Sequence, residues 1–435
     1  MATKKHLIVG AGTAGYNAIR TLRQSGSQDQ IALVSAEHPY SRMVLPYFLE
    51  QGISEGHTAT VSLNQLEKWD VELHLGRRAV SLDTQNNKLT LDNGDELEYD
   101  DLLIATGSSA VRLNLPGADG EGVHGFWTLA DARAVSRLVS PQSHVAMVGA
   151  GFISFTILNG VIQRAGQVTI VEVAGRILPR MVDDAGAAVV SRWLEARGVT
   201  LRTGAQLKSI EDSGGKKRLS FADGAPLDAD LVIMATGIST NLSWLKGSGI
   251  TINQGIVVDD HLRSNVPNVY AAGDIAEGKN RITGAMEVHA IEPTAAEHGR
   301  VVGANMAGRE VAYPGSLMLN IVGVAGLDIA SFGAWDDPEA TVIVGRRDAT
   351  NSYRKYLLRD NRMIGAIYVG ESNETWSGND LGMLKGLVQS GVNLDGWADH
   401  LSRNPFDIKR PYLANRVVSS LMPQTTLGQS SPSPR

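Results

Sequence analysis

One pattern occurs twice in this chain, and it restricts the fold more than any other feature. In the first copy, residues 6–9 predict a short buried strand, the motif GAGTAG (10–15) predicts a tight turn, and residues 14–24 predict a helix. A second predicted strand follows at 31–34, shortly before Glu37. Strand, glycine turn, helix and strand in this order are typical of a doubly wound parallel sheet.

The second copy repeats this order from residue 145. Residues 145–148 predict the strand, GAGFIS (149–154) predicts the turn, and a helix to about residue 165 precedes a strand at 168–171 and Glu172. Each copy later reaches an apolar run that ends in a Thr-Gly pair, Thr106 and Gly107 in the first and Thr236 and Gly237 in the second. The repeat therefore predicts an α/β protein with two doubly wound, Rossmann-like dinucleotide-binding domains.

Changes in the residue pattern along the chain predict three domains and a tail. Residues 264–277 resume the pattern of the first copy, so the second domain (116–247) is expected to be inserted in the first (1–115 and 248–311). From residue 312 to 421, alternating strands followed by helices predict an α+β domain. Residues 422–435 are rich in Ser, Pro and Gln without apolar periodicity, which predicts a disordered tail.

The glycines of both turns suit the binding of a pyrophosphate. A helix N-terminus offers unpaired N–H groups and a partial positive charge, so phosphate binds there when the backbone can come close. In the first turn, Gly10 permits the tight turn, Gly12 the approach of the phosphates, and Gly15 the packing of the helix on the strand. The corresponding residues of the second turn are Gly149, Gly151 and Ser154.

An acidic residue follows the second strand of each copy. Glu37 is placed to accept hydrogen bonds from a ribose, and Glu172 is placed to bind both ribose hydroxyls and to repel a 2′-phosphate. Glu172 therefore predicts a preference for NADH over NADPH, which the nearby Arg176 would soften. The alternative is that Glu172 is a solvated charge at the end of a strand.

Composition excludes several classes of function. The chain has 435 residues and no cysteine, so a disulfide scaffold, a thiolate metal site and thiol catalysis are excluded. With 40 Lys and Arg against 46 Asp and Glu, the net charge of −6 does not indicate nucleic-acid binding. No spacing of His, Asp or Glu indicates a metal site. The apolar runs are too short for a membrane span or a secretory signal, so a cytoplasmic location is expected.

Together, these motifs resemble a known family. GAGTAG, LLIATG, VAMVGAGFIS, VIMATG and VPNVYAAGD occur in the order found in the two-dinucleotide flavoprotein reductases of the pyridine nucleotide–disulfide oxidoreductase superfamily, over residues 1 to about 310. The resemblance implies FAD and NADH as cofactors. The implied FAD contacts are Gly10, Gly12, Gly15, Glu37, Arg42, Thr106, Gly107 and Asp274. The implied NADH contacts are Gly149, Gly151, Ser154, Glu172 and Gly237.

Three positions depart from the pattern of that family. Met43 stands where its coenzyme A disulfide reductases and NADH peroxidases have a redox cysteine, so disulfide reduction and thiol-based peroxide reduction are excluded. Tyr47 and Thr156 stand where rubredoxin and ferredoxin reductases pair a lysine with a glutamate near the flavin. Met43 and Tyr47 are expected to be packed side chains, with the Tyr47 hydroxyl hydrogen-bonded; a chemical role is the alternative.

Glu292 is a further candidate. With His289 and His298, it lies on a segment that the resemblance carries past the flavin ring. Glu292 is then either a general acid or a hydrogen-bonded polar residue at the start of a helix.

The resemblance implies an FAD-dependent NADH:acceptor oxidoreductase. Without a thiol relay, electrons would leave the flavin directly, either to oxygen, as in an NADH oxidase that forms hydrogen peroxide, or to a redox protein of the ferredoxin, rubredoxin or metalloenzyme type. One alternative is a flavoprotein like the apoptosis-inducing factors, whose nucleotide-dependent conformation serves interaction or signalling. Another is a dehydrogenase or monooxygenase of an organic substrate. The C-terminal domain resembles the family's interface domain, which either closes over the flavin or builds a dimer, so a homodimer is one expected assembly.

Overall fold

The computed structural model describes residues 3–373 and 375–421. Its first sheet has five parallel strands, in the order Val269–Ala271, Asp101–Ile104, Lys5–Val9, Gln30–Ser35 and Val71–Leu75. Leu7, Ile8 and Leu103 have no exposed surface, as expected of parallel strands that are covered on both faces. Because the edge strand Val269–Ala271 comes late in the chain, the first sheet is completed only after the second.

The second sheet is built in the same way. Its five parallel strands lie in the order Val199–Arg202, Gln167–Val171, His144–Val148, Leu231–Met234 and Val123–Gly125. The predicted fold class, with two doubly wound units, is therefore confirmed. The predicted domain boundaries stay a prediction.

Small antiparallel sheets accompany the parallel ones. One consists of Ala79–Asp83, Lys88–Leu91 and Glu96–Glu98, another of Leu207–Ser213, Lys216–Phe221 and Leu227–Ala229, and a third of Ile256–Val257, Ala276–Lys279 and Met286–Val288, whose first two strands are parallel. A two-stranded ladder, Ser108–Ala110 with Ile238–Thr240, links the two units. Each of its strands starts directly after a Thr-Gly pair.

Seven helices in the described part of the two units are Thr13–Gln24, Leu45–Leu49, Leu63–Lys68, Leu129–Leu138, Phe152–Arg164, Asp184–Glu195 and Glu292–Met306. The first and the last of them touch along two glycines. A methyl group on Gly299 would lie 2.2 Å from the Ala14 carbonyl oxygen, and one on Gly303 would lie 2.5 Å from that of Ala18. Because both contacts advance in the same direction, these two helices run parallel and their N-termini point the same way.

The C-terminal region forms an antiparallel sheet with helices. Its strand order is Leu319–Val324, Leu327–Gly333, Arg362–Glu371, Ser352–Arg359 and Thr341–Arg347. Its helices are Thr375–Ser390, Ala398–Arg403, Lys409–Ala414 and Val417–Leu421. One face of the sheet packs on these helices, and the other shares a hydrophobic core with the second unit. The predicted α+β arrangement is confirmed, and the predicted tail (422–435) lies outside the described residues.

Candidate active site

A cavity of about 850 Å³, the central cavity, lies where the two units and the C-terminal sheet meet. From the first unit it is lined by, among others, Gly10, Gly12, Glu37, Arg42, Met43, Thr106, Gly107, Asp274 and Glu292. From the start of the Phe152–Arg164 helix it is lined by Phe152, Ile153 and Thr156, and from the C-terminal sheet by Leu319 and Ile321. The cavity therefore joins the first glycine turn to the helix that follows the second one.

The first glycine turn has the close backbone contacts that its sequence predicts. Gly10 has a φ of +114°, and a methyl group there would lie 2.1 Å from the Ala105 carbonyl oxygen. A methyl group on Gly15 would lie 2.0 Å from the carbonyl oxygen of Gly10. Gly12 differs, because a methyl group there would meet no protein atom within 4 Å and would enter the central cavity. No side chain caps the Thr13–Gln24 helix, so its N–H groups are free for a ligand.

Glu37 and Arg42 form an ion pair on the wall of the cavity. Arg42 Nη2 lies 3.0 Å from Glu37 Oε2, and the Tyr40 hydroxyl donates to Glu37 Oε1 at 2.8 Å. The Arg42 guanidinium also lies 5.6 Å from the centre of the Trp127 ring, within range of a cation–π contact. Burial raises the pKa of Tyr40 to about 12, which keeps this hydroxyl protonated as a donor. The network holds one carboxylate and one guanidinium in place at the cavity.

Asp274 is half-buried in the short turn Gly273–Ile275 beside the cavity. Its Oδ2 accepts a hydrogen bond of 2.6 Å from the Ser108 hydroxyl. Burial raises the pKa of Asp274, and the Ser108 hydrogen bond opposes this shift. Two further polar atoms in the cavity wall, Thr106 Oγ1 and Trp244 Nε1, are buried without a hydrogen-bond partner among the described residues.

These features fit FAD. An uncapped helix N-terminus with an open glycine suits the pyrophosphate, and Glu37 suits a ribose. The unpaired Thr106 Oγ1 and Trp244 Nε1 are groups that a polar ligand would satisfy, since a buried polar atom without a partner costs free energy. Of the eight residues that the resemblance assigns to FAD, seven line the cavity, and Gly15 instead packs against the Gly10 carbonyl behind it.

The second glycine turn repeats the geometry of the first with one change. Gly149 has a φ of +100°, and a methyl group there would lie 2.4 Å from the Ala235 carbonyl oxygen, whereas one on Gly151 would meet nothing within 4 Å. Ser154 is fully buried, and its hydroxyl donates to the Gly149 carbonyl at 2.5 Å. This hydrogen bond ties the helix to the turn at the position of the third glycine. Gly237 has a φ of +125°, which favours glycine there.

Glu172 is clamped by two backbone donors. The Ala150 N–H donates to Oε2 at 2.7 Å and the Ala174 N–H to Oε1 at 2.8 Å, and the side chain is buried. The alternative of a solvated charge is therefore wrong. Arg176 is bound elsewhere, because its guanidinium donates to the carbonyls of Pro179 and Val182. Its predicted softening of the nucleotide preference thus has no support in this structure.

Met43 and Tyr47 differ from their predicted packing. Met43 lines the central cavity but is 47% exposed, and Tyr47 is 55% exposed with no described partner for its hydroxyl. The expectation that both are packed is wrong. Met43 lies in the turn Arg42–Val44, which has no buried residue, and Tyr47 lies in the helix Leu45–Leu49, whose buried residues are Leu45 and Leu49. Thr156 lines the cavity, and its hydroxyl donates to the Ile153 carbonyl at 2.7 Å.

The segment around Glu292 is divided between the cavity and the core. Glu292 begins the Glu292–Met306 helix and lines the cavity. His289 and His298 are buried and are not among the residues that line it. Burial lowers the pKa of both imidazoles, that of His298 to about 3, so both are neutral. Of these three residues, Glu292 alone lines the cavity, and its position beside a flavin ring stays a prediction.

Sequence reasoning missed several residues of the cavity. Ser108, Trp127 and Trp244 have no motif of their own and are brought in by the ladder that links the two units and by the segments beside it. Ser108 directly follows the first Thr-Gly pair, which is the one signal that could have indicated it.

Two known protein families match parts of this chain. The family model described as pyridine nucleotide-disulphide oxidoreductase matches residues 4–294. The chain belongs to this family. A model described as rubredoxin NAD+ reductase C-terminal domain matches residues 319–380, which contain the five strands of the C-terminal sheet.

The individual proteins to which the chain is similar are distant relatives. The chain is 30% identical to a rubredoxin-NAD(+) reductase of Pseudomonas putida, over 71% of this chain and 81% of that protein. It is 28% identical to the assimilatory nitrate reductase electron transfer subunit of Bacillus subtilis, over 86% of this chain and 48% of that protein. The chain thus spans about half the length of that relative.

A solved structure has the same fold over most of the chain. The ferredoxin reductase for the CYP199A2 system of Rhodopseudomonas palustris superposes with a TM-score of 0.82 at 25% identity, over 94% of this chain and 99% of that one. Among the described residues, no helix is long and apolar enough to cross a membrane. The same part of the chain contains no group of three or more His, Asp or Glu that could hold a metal ion.

Proposed function

We propose that this protein is an FAD-dependent oxidoreductase that takes electrons from NADH and passes them to a redox protein. The observation that carries the proposal is that one cavity is lined both by the first glycine turn and by the first residues of the helix after the second glycine turn. A dinucleotide on the second turn would therefore deliver its reactive ring to the ligand of the first. Family membership supports the same arrangement.

Each group of residues has a distinct task in this proposal. The FAD residues are Gly10, Gly12, Gly15, Glu37, Arg42, Thr106, Gly107 and Asp274, and the NADH residues are Gly149, Gly151, Ser154, Glu172 and Gly237. When bound, FAD supplies hydride acceptance and electron release. The protein contributes position and electrostatics: the helix N-termini bind pyrophosphates, and Glu172 selects a ribose without a 2′-phosphate.

No protein nucleophile takes part in the proposed reaction. The chain has no cysteine, and the exposed thioether of Met43 cannot form a mixed disulfide. Electrons would therefore leave the bound cofactor directly. Glu292, at the cavity wall, is proposed as a charge that shapes the cavity rather than as an obligatory acid, because hydride transfer from NADH requires no proton donor.

A redox protein is the preferred acceptor because apolar side chains surround the opening of the cavity. Met43 and Ile321 line the cavity and are 47% and 45% exposed, and Tyr47 lies one helical turn beyond Met43. Exposed apolar groups at a site entrance are typical of protein contact surfaces. The match to the rubredoxin reductase C-terminal domain, which contributes Ile321, supports this acceptor.

Oxygen is the second candidate, since the exposure of Met43 also leaves a path for a small molecule. A cytoplasmic location and a homodimer stay predictions.

The acceptor is tested by mixing the NADH-reduced protein rapidly with oxidised rubredoxin, with oxidised ferredoxin or with air. We expect one of the carriers to reoxidise the flavin much faster than air does. Prompt reoxidation by air with stoichiometric hydrogen peroxide would favour the oxidase instead. A reduced flavin that persists with all three would contradict both and favour the signalling alternative.

A matched pair of variants tests the docking surface. Ile321→Glu places a charge at the cavity opening, whereas Val342→Glu places one on the opposite edge strand, at a residue that is 48% exposed. We expect only Ile321→Glu to slow the carrier reaction. Equal effects of the two substitutions would contradict the proposed surface.

A further inference from the structure

We infer that His298 is a positioning residue, whose Nδ1 accepts a hydrogen bond from the Gly273 N–H and thereby fixes the turn that directs Asp274 towards the cofactor. This inference rests on the proposed FAD site. His298 touches neither the cavity nor Asp274 itself, so its effect must pass through the backbone.

The Gly273 turn needs such a constraint. Gly273 has a φ of +76°, a conformation that is open to glycine but not enforced by it. The turn lies between the two parallel helices, since a methyl group on Gly273 would meet Ala14 Cβ at 3.3 Å and Ala295 Cβ at 3.5 Å. These small side chains limit the turn sterically but provide no polar contact. The hydrogen bond to His298 Nδ1, at 3.3 Å, supplies that contact.

The geometry determines which nitrogen of His298 carries the proton. Because Nδ1 accepts from a backbone N–H, a neutral imidazole must carry its hydrogen on Nε2. Nε2 lies 3.5 Å from Ser316 Oγ, so the Nε2–H group points at that hydroxyl. His298 is 1% exposed and Ser316 is also 1% exposed, so water does not compete for either atom.

The hydrogen-bond chain continues to a carboxylate. Ser316 Oγ lies 3.1 Å from the Tyr313 hydroxyl, which donates to Glu297 Oε2 at 3.2 Å. His298 can then donate to Ser316, Ser316 to Tyr313, and Tyr313 to Glu297. Every donor has an acceptor, because the Glu297 carboxylate only accepts hydrogen bonds when it is ionised. The Tyr313 ring also packs edge-on against the imidazole, with 4.7 Å between ring centres. The imidazole is thus oriented from both ends.

This hydrogen-bond chain connects two segments that are separate in the sequence. Tyr313 and Ser316 belong to the segment that leads into the C-terminal sheet, and the Ser316 N–H is bound by the Lys279 carbonyl. Gly273 and Asp274 belong to the first unit. His298 therefore joins the entry to the C-terminal region to the turn that carries Asp274.

The test compares His298→Leu, which removes the acceptor at similar volume, with His298→Asn, whose carboxamide oxygen can replace Nδ1. The dissociation constant of FAD is measured by titrating the apoprotein, and thermal unfolding of the apoprotein is measured in parallel. We expect His298→Leu to bind FAD about tenfold more weakly, as for the loss of one buried hydrogen bond, and His298→Asn to stay within about threefold of the natural protein. Equal FAD affinity of the two variants would show a packing role and overturn the inference.

A double-variant comparison tests the route through Asp274. If His298 acts through Asp274, adding His298→Leu to Asp274→Asn should weaken FAD binding no further. A double variant whose loss of FAD affinity equals the product of the two single losses would overturn the inference. Nitrogen NMR of the natural protein gives a measurement that needs no variant: His298 should show a proton on Nε2 alone, and one on Nδ1 would overturn the inference.

Different experimental results would contradict the proposed function and this inference. A natural protein that takes up no FAD overturns the proposed function and the inference with it. A protein that binds FAD and is reduced by NADH, but whose two His298 variants bind FAD equally, overturns the inference only.

Discussion

Replacing Gly12 by Val should remove FAD from the protein without unfolding it. Gly12 has φ −72° and ψ −172°, a backbone conformation that any residue adopts, and its side-chain direction meets no protein atom within 4 Å. The valine would therefore fill the space at the helix N-terminus rather than strain the fold. The apoprotein should lose no more than about 1 kcal/mol of unfolding free energy, as is usual for substitutions in open space.

The expected loss of FAD affinity follows from the N–H groups that the valine would cover. A hydrogen bond from an N–H to a charged acceptor contributes about 1.5–3 kcal/mol. Loss of two such bonds at the Thr13–Gln24 helix would cost roughly 3–6 kcal/mol, a reduction of FAD affinity by about 10²- to 10⁴-fold. The flavin absorbance per purified chain and an FAD titration of the apoprotein measure this loss.

Gly151→Val is the matched control, because Gly151 occupies the same open position in the second turn. It should keep its flavin and lose reduction by NADH. Gly15→Ala, in contrast, should impair folding itself, because its methyl group would lie 2.0 Å from the Gly10 carbonyl oxygen. A Gly12→Val protein with full flavin content, or a Gly151→Val protein that loses flavin, would refute the assignment of the two turns.

Three further predictions concern single side chains. Glu172→Ala should raise the KM for NADH and narrow the advantage of NADH over NADPH. Glu172→Gln should keep only one of the two backbone hydrogen bonds, because a carboxamide has a single acceptor oxygen, and should lose part of the preference. Unchanged KM values would contradict the ribose role. Met43→Leu should change turnover by less than about twofold, because an exposed thioether has no bond to break, and a large loss would assign Met43 a chemical role. Burial raises the pKa of Asp274, so the contribution of this carboxyl group to apoprotein stability is present at low pH and is lost as pH rises through that pKa. Asp274→Asn should therefore raise the unfolding temperature of the apoprotein more at alkaline than at acidic pH. A difference in unfolding temperature that does not depend on pH would contradict this.

The fold could be predicted from local patterns because each of its units is built from neighbouring residues. Gly10 and Gly149 mark turns whose backbone conformation only glycine accepts readily, so their meaning does not depend on the rest of the chain. The alternating pattern of the C-terminal region likewise predicts strands, and the structure has a five-stranded sheet there.

The parts of the site that escaped prediction depend on contacts between distant residues. Ser108 reaches Asp274 across 166 positions, and nothing in either segment indicates the partner. Met43 and Tyr47 are predicted to be packed because their residue types often are. In the structure, Met43 lies in a turn without buried residues, and the buried face of the five-residue helix that follows is formed by Leu45 and Leu49 rather than by Tyr47. His298 was singled out only as a neighbour of Glu292, and its hydrogen bond to Gly273 becomes visible only in three dimensions.

The most direct test of the whole account is an anaerobic titration of the purified flavoprotein with NADH, followed by the flavin absorbance. The chain has no thiol pair to store electrons, so about one equivalent of NADH per flavin should bleach the absorbance completely, and NADPH should do so far more slowly. A flavin that NADH does not bleach would contradict the central claim that the second glycine turn delivers NADH to the cofactor of the first. A requirement for about two equivalents would contradict the claim that the flavin is the sole electron store.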